Sequence, residues 1–301
     1  AGSTDTFTVV LDAQPTSDVV MSVASNDTSE ATTTNTLTFT PSNWDTAQTV
    51  TVTGIEDDII DGTVTSSTVI SIIDANSDDD FDAIADQTVS VSTLDDDTPG
   101  FTIEETDAAT EVDESGSTDI FTVVLDAQPT SDVVLTITSD DTGEATVPAS
   151  VTFTPVNWDT PQTVTVTGVD DDLVDGTITS TITIAVDDAN SDDDFDTVAD
   201  QTVSVDTLDD DVAGFTIEET DGSTEVDESG STDIFTVVLD AEPTSDVVLT
   251  ITSDDTGEAT VPASVTFTVA DWDTPQTVTV TGVDDSIIDG PISSTKTRPV
   301  E

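Results

Sequence analysis

The segment QTVTVTG at residues 162–168 decides the fold class. Valine and threonine alternate along it, so an extended chain would have one apolar face and one polar face. β-branched side chains also favour strand over helix. The same seven residues stand at 48–54 and at 276–282, a period of 114 residues each time (162 − 48 and 276 − 162). The segment therefore predicts a half-buried β-strand that recurs three times.

The repeat extends well beyond this strand. Trp44, Trp158 and Trp272 keep the same period, and the 25 residues at 130–154 recur unchanged at 244–268. A unit of this length is typical of a domain with its own core and is too long for a solenoid repeat. We predict a first repeat at 1–97 that lacks its first strand, a complete repeat at 98–211, and a third at 212–301 that lacks its last strand or strands. This pattern is typical of a piece cut from a longer array.

The complete repeat predicts an all-β fold. Short alternating segments indicate a split strand A at 101–104 and 110–113, followed by B to G at 119–125, 133–139, 150–154, 162–167, 177–186 and 201–208. About seven strands of this kind predict a two-sheet antiparallel β-sandwich of the immunoglobulin class. The whole chain is then an elongated array of tandem sandwiches.

The composition excludes several classes of function. The chain has 66 acidic residues, two basic residues and no histidine, for a net charge of −64. Binding of nucleic acid or of an anionic membrane surface needs basic residues, and no apolar run is long enough to span a membrane. With no cysteine or histidine, thiol and imidazole catalysis and His or Cys metal sites are excluded. We expect that the protein is not an enzyme. The absence of cysteine does not fix the compartment, but it suits secretion to the extracellular space, where a free thiol would be a liability.

Acidic residues converge on one end of the predicted sandwich. Because successive antiparallel strands reverse direction, the A–B, C–D and E–F connections and the end of strand G share one pole. Calcium takes six to eight oxygen ligands from flexible loops, and it would relieve the repulsion there. A solvated acidic rim, as in salt-adapted proteins, is the alternative. In the complete repeat the candidate calcium ligands are Glu114, Asp140, Asp141, Asp170, Asp171, Asp172, Asp175, Asp209, Asp210 and Asp211.

The aligned acids of the other repeats are candidates as well, although Ser286 replaces Asp172 in the third. They are Asp27, Glu56, Asp57, Asp58, Asp61, Asp95, Asp96 and Asp97 in the first repeat, and Glu228, Asp254, Asp255, Asp284, Asp285 and Asp289 in the third.

The F–G loop at the opposite pole carries a weaker motif. Asp188, Asn190 and Asp192 match the start of an EF-hand loop, but Asp193 stands in place of the required glycine, and Ala199 in place of the last glutamate. The match leaves both a metal site and a purely structural loop open.

Three elements of the complete repeat match a known family. Val112-Asp113-Glu114 precedes a Ser/Gly turn, Val169 is followed by the acidic run 170–172, and the repeat closes on the triple Asp at 209–211. The unit resembles the Calx-beta domain, a calcium-binding sandwich of sodium–calcium exchangers and bacterial surface proteins. The resemblance implies that these elements ligate calcium between tandem domains. The second acidic cluster of the family's E–F loop is reduced here to Asp175.

The partners that we expect are neighbouring repeats of the same chain or identical subunits. Surface glycans are a further candidate, since the many threonines can carry them and an exposed Trp158 can stack on a sugar, although such a tryptophan more often plugs the end of a sandwich.

The leading hypothesis for the function is a calcium-stiffened spacer of a large bacterial adhesin or surface fibre. The alternatives are a filament subunit joined by strand complementation and a calcium-sensing array. In the third repeat, Lys296 and Arg298 align with Ile182 and Ile184 of strand F. We therefore expect this tail not to enter the core as strand F does.

Overall fold

The computed structural model of the chain describes residues 2–107, 109–286, 290, 292 and 296–297. In this part of the chain the regular elements are 24 strands and four short 3₁₀ turns. In the first repeat the strands are β1 Thr4–Val9, β2 Val19–Ser25, β3 Ala31–Thr33, β4 Thr36–Phe39, β5 Gln48–Gly54, β6 Val64–Ile72 and β7 Gln87–Thr93. The 3₁₀ turns are Asp74–Asn76, Asp79–Phe81, Asp188–Asn190 and Asp193–Phe195.

The other two repeats follow the same order. The second has β8 Phe101–Glu105, β9 Thr110–Asp113, β10 Thr118–Leu125, β11 Val133–Ser139, β12 Ala145–Thr146, β13 Ser150–Phe153, β14 Gln162–Gly168, β15 Ile178–Val186 and β16 Gln201–Leu208. The third has β17 Phe215–Glu219, β18 Thr232–Leu239, β19 Val247–Thr250, β20 Thr252–Ser253, β21 Ala259–Thr260, β22 Ser264–Phe267, β23 Gln276–Gly282 and β24 Lys296–Thr297.

The second repeat is built from two sheets. One has the order β12-β14-β10-β8 and the other has the order β13-β11-β15-β16-β9. The pairs within them are antiparallel, except that β9 runs parallel to β16. The predicted all-β sandwich array is thereby confirmed. The predicted strand D at 150–154 is present as β13. The short strand β12 before it was not predicted; it joins the other sheet, and Pro148, which cannot donate to a ladder, separates the two strands.

The core of this repeat lies between its two sheets. Phe121 and Val164 from the first sheet and Leu135 and Ile182 from the second are all 0% exposed. Trp158 packs against the edge of this core, and its carbonyl accepts a hydrogen bond of 3.2 Å from the Leu125 N–H. Trp158 therefore closes the end of the sandwich, as the alternative to sugar binding predicted.

Strand β9 lies unusually close to β14. A Cβ atom added at Gly168 would lie 2.0 Å from the carbonyl oxygen of Asp113, so any side chain there would push β9 away. Glycine at this position lets the two backbones approach. The close packing holds the end of β9, and hence Glu114, at the acidic pole.

The first and third repeats are less complete. The first has the sheets β1-β5-β3 and β4-β2-β6-β7, and the third has β17-β18-β23-β21 with the pairs β19-β22 and β20-β24. In β24 Lys296 pairs with Ser253, as Ile182 pairs with Ser139 in the second repeat. Arg298 lies outside the described residues, so the expectation that this tail stays out of the core remains a prediction.

Successive repeats touch through their loops. The E–F loop, which joins β5 to β6 and β14 to β15, reaches the turn between the next repeat's strands B and C. Ile59 forms a parallel bridge with Gln128, and Leu173 forms the same bridge with Glu242. The two contacts are 114 residues apart, so both joints use one geometry. The exact domain boundaries stay predictions.

Candidate metal centre

Two groups of carboxylates meet at the predicted acidic pole of the second repeat. The first consists of Glu114, Asp171 and Asp211, and the second consists of Glu144, Asp171 and Asp175. Within each group, one oxygen per residue lies within 4.8 Å of the others. Asp171 belongs to both, so the two groups form one continuous cluster. The rest of the described chain contains no other group that meets this geometry.

Glu114 is the most unusual residue of the cluster. It is 0% exposed, and neither carboxylate oxygen has a hydrogen-bond partner. Its backbone N–H donates to the Leu208 carbonyl at 3.1 Å, which continues the β9–β16 pairing and fixes the side chain at the pole. Burial, reinforced by the charge of Asp171 and opposed by the nearby Asp210 N–H, raises the pKa of Glu114 to about 7. The Asp210 N–H is near but does not form a hydrogen bond with either oxygen, and a buried carboxylate in that state is costly unless a proton or a cation compensates it.

Glu144 is the second buried glutamate of the cluster. It stands directly before β12, is 7% exposed, and its Oε2 atom has no partner. Burial and the charges of Asp175 and Asp171 raise its pKa. Burial also raises the pKa of Asp211, whose Oδ2 atom is likewise buried and unpartnered. The cluster therefore holds four oxygens that nothing in the described chain satisfies.

These donors fit calcium. The ligand atoms are all carboxylate oxygens, which hard cations prefer, and they come from four chain segments whose loops can adjust. The two basic residues of the chain, Lys296 and Arg298, belong to the sequence of the third repeat, whereas the residues of this cluster belong to the second. A divalent cation held by Glu114, Glu144, Asp171, Asp175 and Asp211 would compensate the charge that the protein itself leaves uncompensated.

Some of the predicted calcium ligands instead accept hydrogen bonds that hold the loops together. Asp209 accepts hydrogen bonds from the Gly176 N–H at 2.7 Å and from the Asp211 N–H at 2.8 Å. It thus ties the E–F loop to the end of β16, and Asp95 does the same in the first repeat with Gly62 and Asp97.

The two acids of the C–D loop are also hydrogen bonded. Asp140 accepts from the Thr181 N–H at 2.6 Å, and Asp141 accepts from the Gly143 N–H at 3.0 Å. In the first repeat Asn26 aligns with Asp140, and its side-chain oxygen accepts the corresponding hydrogen bond from the Ser67 N–H at 2.7 Å. A neutral amide is thus sufficient at this position. Asp170, Asp172 and Asp210 are exposed and lie outside both groups, so their ligand roles stay predictions.

The first repeat has a partial counterpart of the cluster. Burial raises the pKa of Glu30, which aligns with Glu144, and the charges of Asp61 and Asp57 raise it further. Asp27 is held by Ser29, whose hydroxyl lies 2.5 Å from its Oδ1 atom. The remaining candidates of this repeat lie in the E–F loop or after β7; they are Glu56, Asp58, Asp96 and Asp97.

The third repeat places its candidates differently. Glu228, which aligns with Glu114, is exposed and follows a segment that is not a strand. Asp255 accepts from the Gly257 N–H at 3.0 Å, as its counterpart Asp141 does. Asp254, Asp284 and Asp285 lie in the expected loops, and Asp289 lies outside the described residues.

Sequence reasoning missed Glu144. A glutamate precedes an Ala-Thr pair at the same place in all three repeats, at positions 30, 144 and 258. The C–D loop that carries it had already been assigned to the acidic pole. The recurrence of one glutamate at the end of that loop was therefore the signal that could have found it.

The EF-hand-like run in the F–G loop has a structural role. Asp192 is 5% exposed and accepts hydrogen bonds from the backbone N–H groups of Thr130 at 2.7 Å and Ser131 at 2.8 Å. Burial raises the pKa of Asp192, but these hydrogen bonds together outweigh it and hold the pKa below its ordinary value. Asp187, in turn, accepts from the Asn190 side chain at 2.9 Å. The loop folds around its own acids, which favours the structural alternative.

No helix in the described part of the chain is long and apolar enough to cross a membrane.

No family model and no curated protein matches the chain, so membership of the Calx-beta family stays a prediction. Among solved structures, the calcium binding domain CBD12 of CALX1.1 is 15% identical with a TM-score of 0.27, over 60% of this chain and 73% of that one.

Two structures of the S-layer protein SbsC also match. Domains 4 and 5 are 18% identical with a TM-score of 0.29, over 62% of this chain and 70% of that one. Domains 1–6 are 16% identical with a TM-score of 0.32, over 93% of this chain, which spans only 32% of their length. With identities and TM-scores this low, the residues of this chain must carry the functional argument.

Proposed function

We propose that the complete repeat binds calcium at its acidic pole and that the chain is a calcium-stiffened spacer of a large extracellular bacterial adhesin or surface fibre. The observation that carries the proposal is the buried, unpartnered carboxylate of Glu114 beside Asp171 and Asp211. A fold that only needed solubility would leave such a group in water, where it costs nothing.

The distribution of the charges supports calcium over a salt-adapted surface. The strands expose mainly hydroxyl groups, as in β14, where Thr163 and Thr165 are exposed and Val164 and Val166 are buried. Exposed acids do lie on strands, at Glu104, Glu111 and Asp206, but most acids of the repeat lie in its loops. A surface adapted to salt would carry acids as densely on the outer strand faces, because its charge serves solvation everywhere.

The position of the cluster supports a role in stiffening. Asp171 belongs to both carboxylate groups, and the carbonyl of the next residue, Asp172, accepts the 2.7 Å hydrogen bond from Glu242 that joins the second repeat to the third. A cation that orders Asp171 also orders the loop that makes the joint. The protein would then act by reach and mechanical strength, and we propose no catalytic role for it.

Thermal unfolding tests the calcium site. An ion that binds only the folded state stabilises it by about 2.7 kcal/mol at a hundredfold excess over its Kd. The unfolding midpoint should therefore rise by several degrees between excess chelator and millimolar calcium. Equal midpoints in the two conditions, at matched ionic strength, would contradict the proposal.

Small-angle scattering tests the stiffening. Calcium should narrow the distribution of particle sizes and shift it to longer particles, because each joint loses freedom. Replacement of Asp209, Asp210 and Asp211 by Asn should remove this response at the second joint, and the same replacement at Asp95, Asp96 and Asp97 should act at the first. A triple variant that stiffens as fully as the parent would show that the joints do not depend on these acids.

A further inference from the structure

The loop that joins the second repeat to the third also carries the metal ligand that the two carboxylate groups share. This E–F loop contains Asp171, whose carboxylate belongs to both groups, and Asp172 directly after it. The Asp172 carbonyl accepts a hydrogen bond of 2.7 Å from the N–H of Glu242, which lies in the turn between strands B and C of the third repeat. The candidate calcium ligand and the contact with the next repeat are therefore adjacent in the chain.

Leu173 connects this contact to the side chain of the ligand. It forms the parallel bridge with Glu242 that closes the joint. Its own N–H donates to the Asp171 Oδ1 atom at 2.7 Å. A local hydrogen bond of this kind fixes the direction of the aspartate side chain relative to the backbone that follows it. The turn of the third repeat thus holds Leu173, and Leu173 holds the carboxylate of Asp171.

The first joint has the same arrangement. Ile59 forms the bridge with Gln128, and the Ile59 N–H donates to the Asp57 Oδ1 atom at 3.0 Å. The Gln128 N–H donates to the Asp58 carbonyl at 2.7 Å. Asp57 aligns with Asp171, so the corresponding aspartate is oriented in both joints. The bridging residue is a glutamine here and a glutamate in the second joint, which shows that the contact uses its backbone and not a side-chain charge.

We propose that the third repeat sets the calcium affinity of the second, because the backbone of its B–C turn orders the shared ligand Asp171 before the ion binds. The inference rests on the proposed calcium site and adds its regulation. The third repeat supplies no ligand, since in the described chain both carboxylate groups consist of residues of the second repeat. A ligand that is already ordered loses less conformational entropy when the ion binds, so the affinity is higher.

This dependence has a direction along the chain. The B–C turn of a repeat lies at the pole opposite to its own acidic pole, and it contacts the E–F loop of the repeat before it. Loss of the second joint should therefore weaken the cluster around Asp171, whereas loss of the first joint should not. The coupling is also reciprocal, so calcium at this cluster should strengthen the second joint by the same factor.

Calorimetric titration of the 301-residue chain with calcium chloride tests the proposal on three variants. Glu242→Pro removes the N–H that donates to the Asp172 carbonyl. Glu242→Gln keeps this N–H and gives the second joint the residue of the first, so it separates the backbone contact from the side-chain charge. Gln128→Pro removes the corresponding N–H of the first joint and leaves the second joint unchanged.

Glu242→Pro should weaken the tightest calcium binding of the parent by about five- to tenfold, in the lower part of the range typical of coupled sites. Glu242→Gln and Gln128→Pro should keep the tightest binding of the parent. Unchanged binding in Glu242→Pro would overturn the inference and leave the calcium site standing, and so would an equal loss in Gln128→Pro. A parent that binds no calcium would contradict the proposed function and the inference together.

Amide hydrogen exchange in chelator gives a second readout that does not involve the ion. In Glu242→Pro the Leu173 amide should exchange about tenfold faster than in the parent, because its loop has lost the contact that holds it. The Glu114 amide, which donates to the Leu208 carbonyl, should keep its protection and so report that the second repeat stays folded. Unchanged protection of Leu173 would show that the third repeat does not order this loop, and it would overturn the inference.

Discussion

The second and third repeats contain the same five residues before their first tight turn, but the last of the five is buried in one repeat and exposed in the other. Residues 110–114 and 224–228 both read TEVDE. In both repeats the backbone of this segment packs against a glycine. A Cβ atom added at Gly168 would lie 2.0 Å from the Asp113 carbonyl oxygen, and one added at Gly282 would lie 2.0 Å from the Asp227 carbonyl oxygen. Yet Glu114 is 0% exposed and Glu228 is exposed.

The difference comes from a strand far along the chain. In the second repeat β16 pairs with β9, and the Leu208 carbonyl accepts the Glu114 N–H at 3.1 Å. The described part of the third repeat has no counterpart of β16. The buried carboxylate is therefore created by the closure of the sandwich and not by the local sequence. Each prediction below changes one residue of the second repeat and has a matched change elsewhere in the chain as its control.

The largest effect is expected from Gly168→Ala. The new methyl group would meet the Asp113 carbonyl oxygen at 2.0 Å, so β9 must move and Glu114 must move with it. We expect a loss of about 3–4 kcal/mol in the free energy of unfolding, measured by urea denaturation.

Gly54→Ala is the matched control for this change. The nearest atom at the aligned Gly54 is the Ser3 carbonyl oxygen at 3.7 Å, which is ordinary contact. This variant should stay within about 0.5 kcal/mol of the parent. Equal losses in the two variants would show that the glycines serve the turn after strand E and not the approach of β9.

A smaller effect is expected from Asp171→Asn, because the change keeps the shape of a residue that both carboxylate groups share. The variant should lose the calcium-dependent stabilisation of about 2.7 kcal/mol that a hundredfold excess of calcium gives. Asp285→Asn, the aligned change in the third repeat, should keep it. Calorimetric unfolding with and without calcium measures both variants. If both behave alike, the cluster at Asp171 is not the calcium site.

Asp192→Asn should lower stability without changing calcium binding. The amide replaces a buried carboxylate that accepts from Thr130 and Ser131, and the loss of these charge-assisted bonds costs about 2 kcal/mol. Asp188→Asn, on an exposed neighbour, should leave stability unchanged. Weaker calcium binding in either variant, measured by titration calorimetry, would instead support the EF-hand-like interpretation of the F–G loop.

The pH dependence without metal should give the smallest effect, because loops at the pole can admit water. The folded-state pKa of Glu114 is about 7, above its ordinary value of 4.5. The folded state then binds more protons than the unfolded state between these values, so stability falls as the pH rises through that window. Glu114→Gln should remove this part of the fall in denaturation experiments in chelator, and Glu228→Gln should not. An unchanged pH profile for Glu114→Gln would show that its carboxyl group is already solvated.

The strands were predictable because their signal is local. The alternation in residues 162–168 and 201–208 predicted β14 and β16 within one residue, and the loops followed from the reversal of successive strands. The short strand β12 was the exception. It lies before Pro148 and the predicted strand D, and it joins the sheet that does not contain β13; a pattern of alternation does not reveal which sheet so short a strand joins.

The cluster was predictable only in outline. Counting poles brought Glu114, Asp171, Asp175 and Asp211 together, since all four lie in connections at one end. The same argument also assigned Asp209 to the cluster. Asp209 accepts a hydrogen bond from the Gly176 N–H and belongs to neither carboxylate group, but in the sequence it is an aspartate of the same acidic run as Asp211. That distinction depends on which N–H groups the folded loops present, which is a property of the tertiary structure.

A calcium titration of the parent, Glu114→Gln and Glu228→Gln by isothermal calorimetry tests the central claim most directly. The two variants remove the same carboxylate from the same TEVDE segment, once where β16 buries it and once where it is exposed. We predict that Glu114→Gln loses the tightest binding of the parent and that Glu228→Gln retains it. Retention of that binding in Glu114→Gln, or an equal loss in both variants, would contradict the account.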